Sequence, residues 1–143
     1  MIAALLIALA VSHPKPPTEF CEVYQAEQRY SFIEENNLVR VKVSCYYAEP
    51  GARTADGSVP IEGMVSSNQE HLGMDMVLYT DDLMPEARFQ CTDIGGHALL
   101  RNGKAVDFYR DNYERCVSFV KSHSEFVWVQ WIPREEGKDE ETD

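Results

Sequence analysis

Two aspartates at strand–turn junctions constrain this chain more than any other feature. They lie in Phe89 to Asp111, FQCTDIGGHALLRNGKAVDFYRD. Before Asp93, Phe89 and Cys91 alternate with Arg88 and Gln90, the period of a half-buried strand. Gly95-Gly96 follows and admits backbone angles closed to other residues. Asn102-Gly103 predicts a tight reversal, and Ala105 to Tyr109 a second strand. Asp93 before the glycines also suits simple turn capping. Asp107 is different, because it interrupts an apolar run between Val106 and Phe108. A carboxyl there is costly unless paired or used. A carboxyl with apolar neighbours can have a raised pKa and remain a proton donor at neutral pH.

The rest of the chain supplies short strands and one late helix. Leu38 to Tyr47 alternates Val39, Val41, Val43 and Cys45 against Arg40, Lys42 and Ser44. Strands are also predicted over Ile61–Ser67, Met74–Tyr79 and Phe126–Ile132, the last stopped by Pro133. Pro50-Gly51 and Asp56-Gly57 mark a loop, His71-Leu72-Gly73 a turn, and Asp81-Asp82 a solvated turn rather than a calcium loop. The predicted helix starts at Asp111 as cap, with Glu114 completing a capping box. Tyr113, Cys116, Val117 and Val120 form its apolar face, and His123 stands in its last turn. Glu19 to Glu35 reads either as helix, from Phe20, Val23 and Tyr24, or as a short strand, from Tyr30, Phe32 and Ile33. This order predicts a mainly β barrel or sandwich.

Composition sets the compartment and excludes some partners. The 143 residues carry a formal net charge of −11, which argues against a phosphate-binding surface and so against nucleic acid. The nearly apolar run from Met1 to Val11 is too short to span a bilayer, and Ala8-Leu9-Ala10 offers a cleavage pattern. The expected layout is a signal peptide over 1–10, a linker and arm over 11–37, the barrel over 38–133 and a disordered acidic tail over 134–143. Location is then secreted, periplasmic or cell-wall, with no membrane span in the mature form and a monomer expected. Cys21, Cys45, Cys91 and Cys116 form no C-x-x-C pair. An even count behind a leader suggests two disulfides. Three pairings are open, with Cys45–Cys91 and Cys21–Cys116 favoured because they join strand to strand and arm to helix. The histidines His13, His71, His97 and His123 lack metal-pair spacing, so no metal or cofactor is expected. His97 follows the Gly-Gly turn and is a candidate to line a groove.

The run CTDIGG…NGKAVDFYRD resembles the three-aspartate (3D) domain, also found in membrane-bound lytic transglycosylase A and its relatives. The matching residues are Leu72-Gly73, then Asp93-Ile94-Gly95-Gly96, Gly103 and Val106-Asp107-Phe108-Tyr109. The resemblance spans 39–132. Two departures stand out: Val65-Ser66-Ser67-Asn68 occupies the place of the family's first aspartate, and the insert between the other two is longer. The resemblance implies a six-stranded double-psi β-barrel, with helix Asp111–Ser122 covering one side. It implies a secreted lytic transglycosylase that cleaves peptidoglycan glycan strands to 1,6-anhydro products, with Asp107 as the single acid–base and Asp93 in support. Residues expected to meet glycan are Tyr46, Tyr47, Asn68, Gly95, Gly96 and His97. Against this stand a non-catalytic, expansin-like glycan-binding module and a secreted structural or inhibitory protein.

Overall fold

The computed structural model describes residues 17–135, with side chains from Glu22 onward. The expected leader and the first residues of the linker lie outside the described residues, as does the tail from Glu136. The chain divides into two compact units between Asn37 and Leu38.

The described residues of the first unit hold a helix, α1, over Pro17–Glu35. Tyr30, Phe32 and Ile33 continue it rather than forming a strand. Asn37 ends it at φ 52, a left-handed angle that asparagine tolerates well.

The second unit holds strands β1 (Val39–Tyr46), β2 (Met64–Ser67), β3 (Asp75–Tyr79), β4 (Pro85–Ile94), β5 (Ala105–Tyr109) and β6 (Phe126–Ile132). Two helices join them, α2 (Ala98–Arg101) and α3 (Tyr113–Ser122). The strands close into a barrel in the order β1-β5-β2-β4-β3-β6. Pairs β1–β5 and β2–β4 are parallel. The other four pairs are antiparallel. Exchanging β1, β2, β3 with β4, β5, β6 maps this pairing onto itself. Parallel β1–β5 becomes parallel β4–β2, and antiparallel β3–β4 becomes antiparallel β6–β1. Two interlocked halves of this kind make a double-psi barrel. Closure leaves no free sheet edge.

Alternating strand residues fill the interior. Val41, Val43, Val65, Met76, Leu78, Phe89, Cys91, Val106, Phe108, Val127 and Val129 form one cluster with Phe119 from α3. Phe108 meets Phe89 edge-on at 5.1 Å and Phe119 at 4.8 Å. Helix α3 therefore buries Cys116 and Phe119, while Tyr113 and Val120 stay exposed. The expected face was misplaced because Phe119 enters the barrel beside Phe108. Asn112, not Asp111, caps the helix, its side chain accepting from Arg115 N at 2.9 Å. His123 is the C-cap and pairs with Glu86 at 2.8 Å.

Asn102-Gly103 turns the chain, with Gly103 at φ 77, but closes no hairpin. Strand β2 lies between β4 and β5, so the connection must cross over it, and α2 forms in that crossover. Arg134, which the sequence places in the acidic tail, is paired with β3. Arg134 Nε lies 3.0 Å from Asp75 Oδ1, and Arg88 holds the same carboxylate from the other side.

Glu62 ties the start of α3 to the barrel. Its carboxylate pairs with Arg110 at 3.2 Å and with Arg115, and accepts from Asp111 N at 3.1 Å. These partners depress its pKa to about 2, led by the Arg115 bond. A depressed carboxylate contributes stability that is present above its unfolded pKa and lost as pH falls through the folded one. Glu62→Gln is expected to lower Tm by about 4 °C at neutral pH, with the gap closing as pH falls from about 4.5 to about 2. Thermal melts of both proteins across that range check it; a constant gap contradicts it.

Candidate functional site

The barrel register lines up four polar residues across neighbouring strands. Ser44 on β1 is level with Asp107 on β5. Asp107 is level with Ser66 on β2, and Ser66 with Asp93 on β4. Residues level across a sheet share a face. Val43, Val65, Val106 and Phe108 point into the core, so the polar row stands on the opposite face.

Asp93 joins that row only because β4 carries a bulge. Val65 pairs with Cys91, but the next residue, Ser66, pairs with Asp93. Thr92 is the extra residue. Strict alternation would put Asp93 on the core face with Phe89 and Cys91. The inserted residue turns it outward, a common use of bulges beside functional sites. The bulge leaves a mark, for Thr92 Oγ1 is buried without a hydrogen-bond partner.

Three donors then fix the Asp93 carboxylate. Ala55 N donates to Oδ1 at 2.9 Å, Ile94 N to the same oxygen at 3.0 Å, and Tyr46 Oη to Oδ2 at 3.4 Å. Tyr46 is thus committed to Asp93 and packs edge-on against Tyr109 at 5.4 Å. Burial and the two nearby aspartates raise its phenol pKa, so it remains a donor.

Asp107 is the less encumbered carboxyl. Ser44 Oγ donates to its Oδ1 at 3.1 Å. Burial raises its pKa most; the Ser44 bond works against this, and the charge of Asp93 adds to it. It opens on a cavity of about 350 Å³, walled by Lys42, Ser44, Cys45, His97, Leu99, Leu100 and Ala105. A half-buried acid whose pKa is raised by burial, facing a cavity, is equipped for general acid–base work.

The other expected site residues divide around this cavity. His97 reaches it, and its Nδ1 also caps α2 by accepting from Leu99 N at 3.2 Å. Gly95 lies beneath Leu100, where an added Cβ would stand 2.9 Å from the Leu100 Cβ, so this position needs glycine. Gly96 faces open space. Asn68 serves a turn, with Oδ1 accepting from His71 N at 3.0 Å. Tyr47 is exposed, edge-on to Tyr113 at 6.2 Å, and is not one of the residues that wall the cavity. Ser44 and Ser66 were not singled out from sequence. Ser44 had a usable signal, as it shares the polar face of β1 with Lys42. Ser66 had a signal only through the resemblance, as part of the segment that stands in place of the family's first aspartate; its place between the two aspartates follows from a non-sequential strand order.

Cys45 Sγ lies 2.8 Å from Cys116 Sγ, so Cys45 is placed beside Cys116 and not beside Cys91, its expected partner. The Cys91 thiol instead points at Asp93 O at 3.7 Å. The Cys21 side chain is outside the described residues. Among the described residues, no three His, Cys, Asp or Glu side chains stand together as metal ligands, and no helix is long and apolar enough to cross a membrane. No protein-family model matches the chain, and no curated protein matches it in sequence.

Proposed function

We propose that the protein is a secreted lytic transglycosylase that cleaves peptidoglycan glycan strands with Asp107 as its acid–base. The observation that carries this reading is a half-buried carboxyl, raised in pKa, held by one serine and open to a cavity of about 350 Å³. Protonated Asp107 gives its proton to the glycosidic oxygen between N-acetylmuramic acid and N-acetylglucosamine. The resulting carboxylate takes the proton of the C6 hydroxyl, whose oxygen bonds to the anomeric carbon as the glycosidic bond breaks. The products are a 1,6-anhydro ring and a free sugar end. No water is consumed and Asp107 ends protonated.

One acid suffices because the nucleophile belongs to the substrate and is already held close. Asp93 lies two strands from Asp107, roughly 10 Å at Cα, with Ser66 between them. It is tied up by Ala55, Ile94 and Tyr46, which suits an electrostatic and orienting part. Ser44 sets the direction of the proton-bearing group.

A specific observation also favours the binding-module reading. Ser66 sits level with both aspartates, where the resemblance leads one to expect a third carboxyl. Digestion of purified peptidoglycan, followed by mass analysis of the soluble products, separates the two. Anhydro-muropeptides are expected. Protein that sediments with the polymer and releases nothing is a glycan-binding module instead.

A further inference from the structure

We infer that Cys45 and Cys116 are a disulfide site that pins α3 to β1 beside the Asp107 cavity, while Cys91 remains a thiol. The two sulfurs stand 2.8 Å apart as thiols. A disulfide bond is about 2.05 Å long, so closing this one needs a shift of less than about 1 Å. The approach does not depend on the sulfurs themselves. Phe119, one turn after Cys116, is anchored on Phe108 in the core, and this sets α3 against the end of β1.

Cys91 has no such access. It is 1 % exposed. Its strand, β4, stands diametrically across the barrel from β1, with β5 and β2 between them one way and β6 and β3 the other. Backbones placed so cannot be bridged by a disulfide without opening the barrel.

The two members of the pair are unequal, and this orders the chemistry. Cys45 is partly exposed and helps wall the cavity, whereas Cys116 is buried. The oxidant class is a small-molecule disulfide such as oxidised glutathione. Cys45 loses its proton to solvent, and its sulfur attacks one sulfur of the reagent. The reagent's S–S bond breaks, and one glutathione leaves as thiolate and is protonated. Cys116 then attacks the Cys45 sulfur of the mixed disulfide and expels the second glutathione. Two protein thiols are oxidised, and one disulfide is reduced to two thiols. Burial, with Cys116 and Asp107 adding and Arg110 opposing, raises the Cys45 thiol pKa. The first attack is therefore slow at neutral pH and faster in mild alkali.

The bond would close a loop between residues 71 apart, which removes freedom mainly from the unfolded chain. The test uses the full chain, purified under reductant and then incubated with oxidised glutathione at mildly alkaline pH. It is quenched with acid, unfolded, alkylated and mapped. The expected result is an internal bond joining the Cys45 and Cys116 peptides, alkylated Cys91, and a Tm raised by at least about 5 °C. Cys116→Ser should stop at a glutathione adduct on Cys45. A bond from Cys45 to Cys91 or Cys21, a bond between two chains, or alkyl groups on both Cys45 and Cys116 would each overturn the inference. The outcome is independent of whether the protein cleaves glycan.

Discussion

Asp107→Asn is expected to release anhydro-muropeptides at least about a hundredfold more slowly than the parent protein. The exchange keeps the size of the side chain and leaves an oxygen to accept from Ser44. It removes the only group in the cavity proposed to give a proton and take one back. Tm should stay within about 4 °C, and sedimentation with peptidoglycan should persist. The parent should also lose kcat/KM as pH rises through the pKa of Asp107, because the protonated form is the one that donates. Burial has moved that pKa upward, so the loss comes at higher pH than for an ordinary aspartate. The Asn variant should lack this limb. Undiminished release from folded Asp107→Asn protein would remove the residue from the chemistry.

Phe108→Ala is expected to do the reverse. Phe108 is 0 % exposed and touches Phe89 and Phe119, so it joins two strands' worth of core to α3. Its truncation should cost about 3–5 kcal/mol and lower Tm by at least about 10 °C. In the cold, the fraction still folded should keep its specific cleavage activity, because the ring points away from the polar row. Adjacent residues on one strand thus separate stability from chemistry. A Tm within about 3 °C of the parent would show that the core does not rest on Phe108.

Much of the barrel was legible because alternation reports burial directly. Val41 and Val43 against Lys42 and Ser44 marked β1, and Phe126 to Ile132 marked β6. Asp107 was legible for the same reason, as a carboxyl beside two core residues must lie on the other face. Asp93 was legible as a residue but not as a neighbour. Its orientation depends on the Thr92 bulge, and an inserted residue in a pairing register leaves no trace in hydrophobic period. The resemblance marked the segment holding Ser66, but its position between the aspartates was hidden, because β2 separates β4 from β5 in space, though it precedes both in the chain. The Asn102-Gly103 turn misled for that reason: local turn chemistry is the same whether the next strand pairs at once or crosses over. The sulfur pairing was misread because Cys45 and Cys91 both fit the core pattern. Period alone does not say that their strands are on opposite sides.

The central claim is that an oxygen of the substrate, and not water, attacks the anomeric carbon when Asp107 gives up its proton. Its most direct test is digestion of peptidoglycan by the wild-type protein in water enriched in ¹⁸O, with mass spectra of the released muropeptides. The account predicts 1,6-anhydro ends carrying no ¹⁸O. Reducing ends labelled with ¹⁸O, or no release at all, would contradict it.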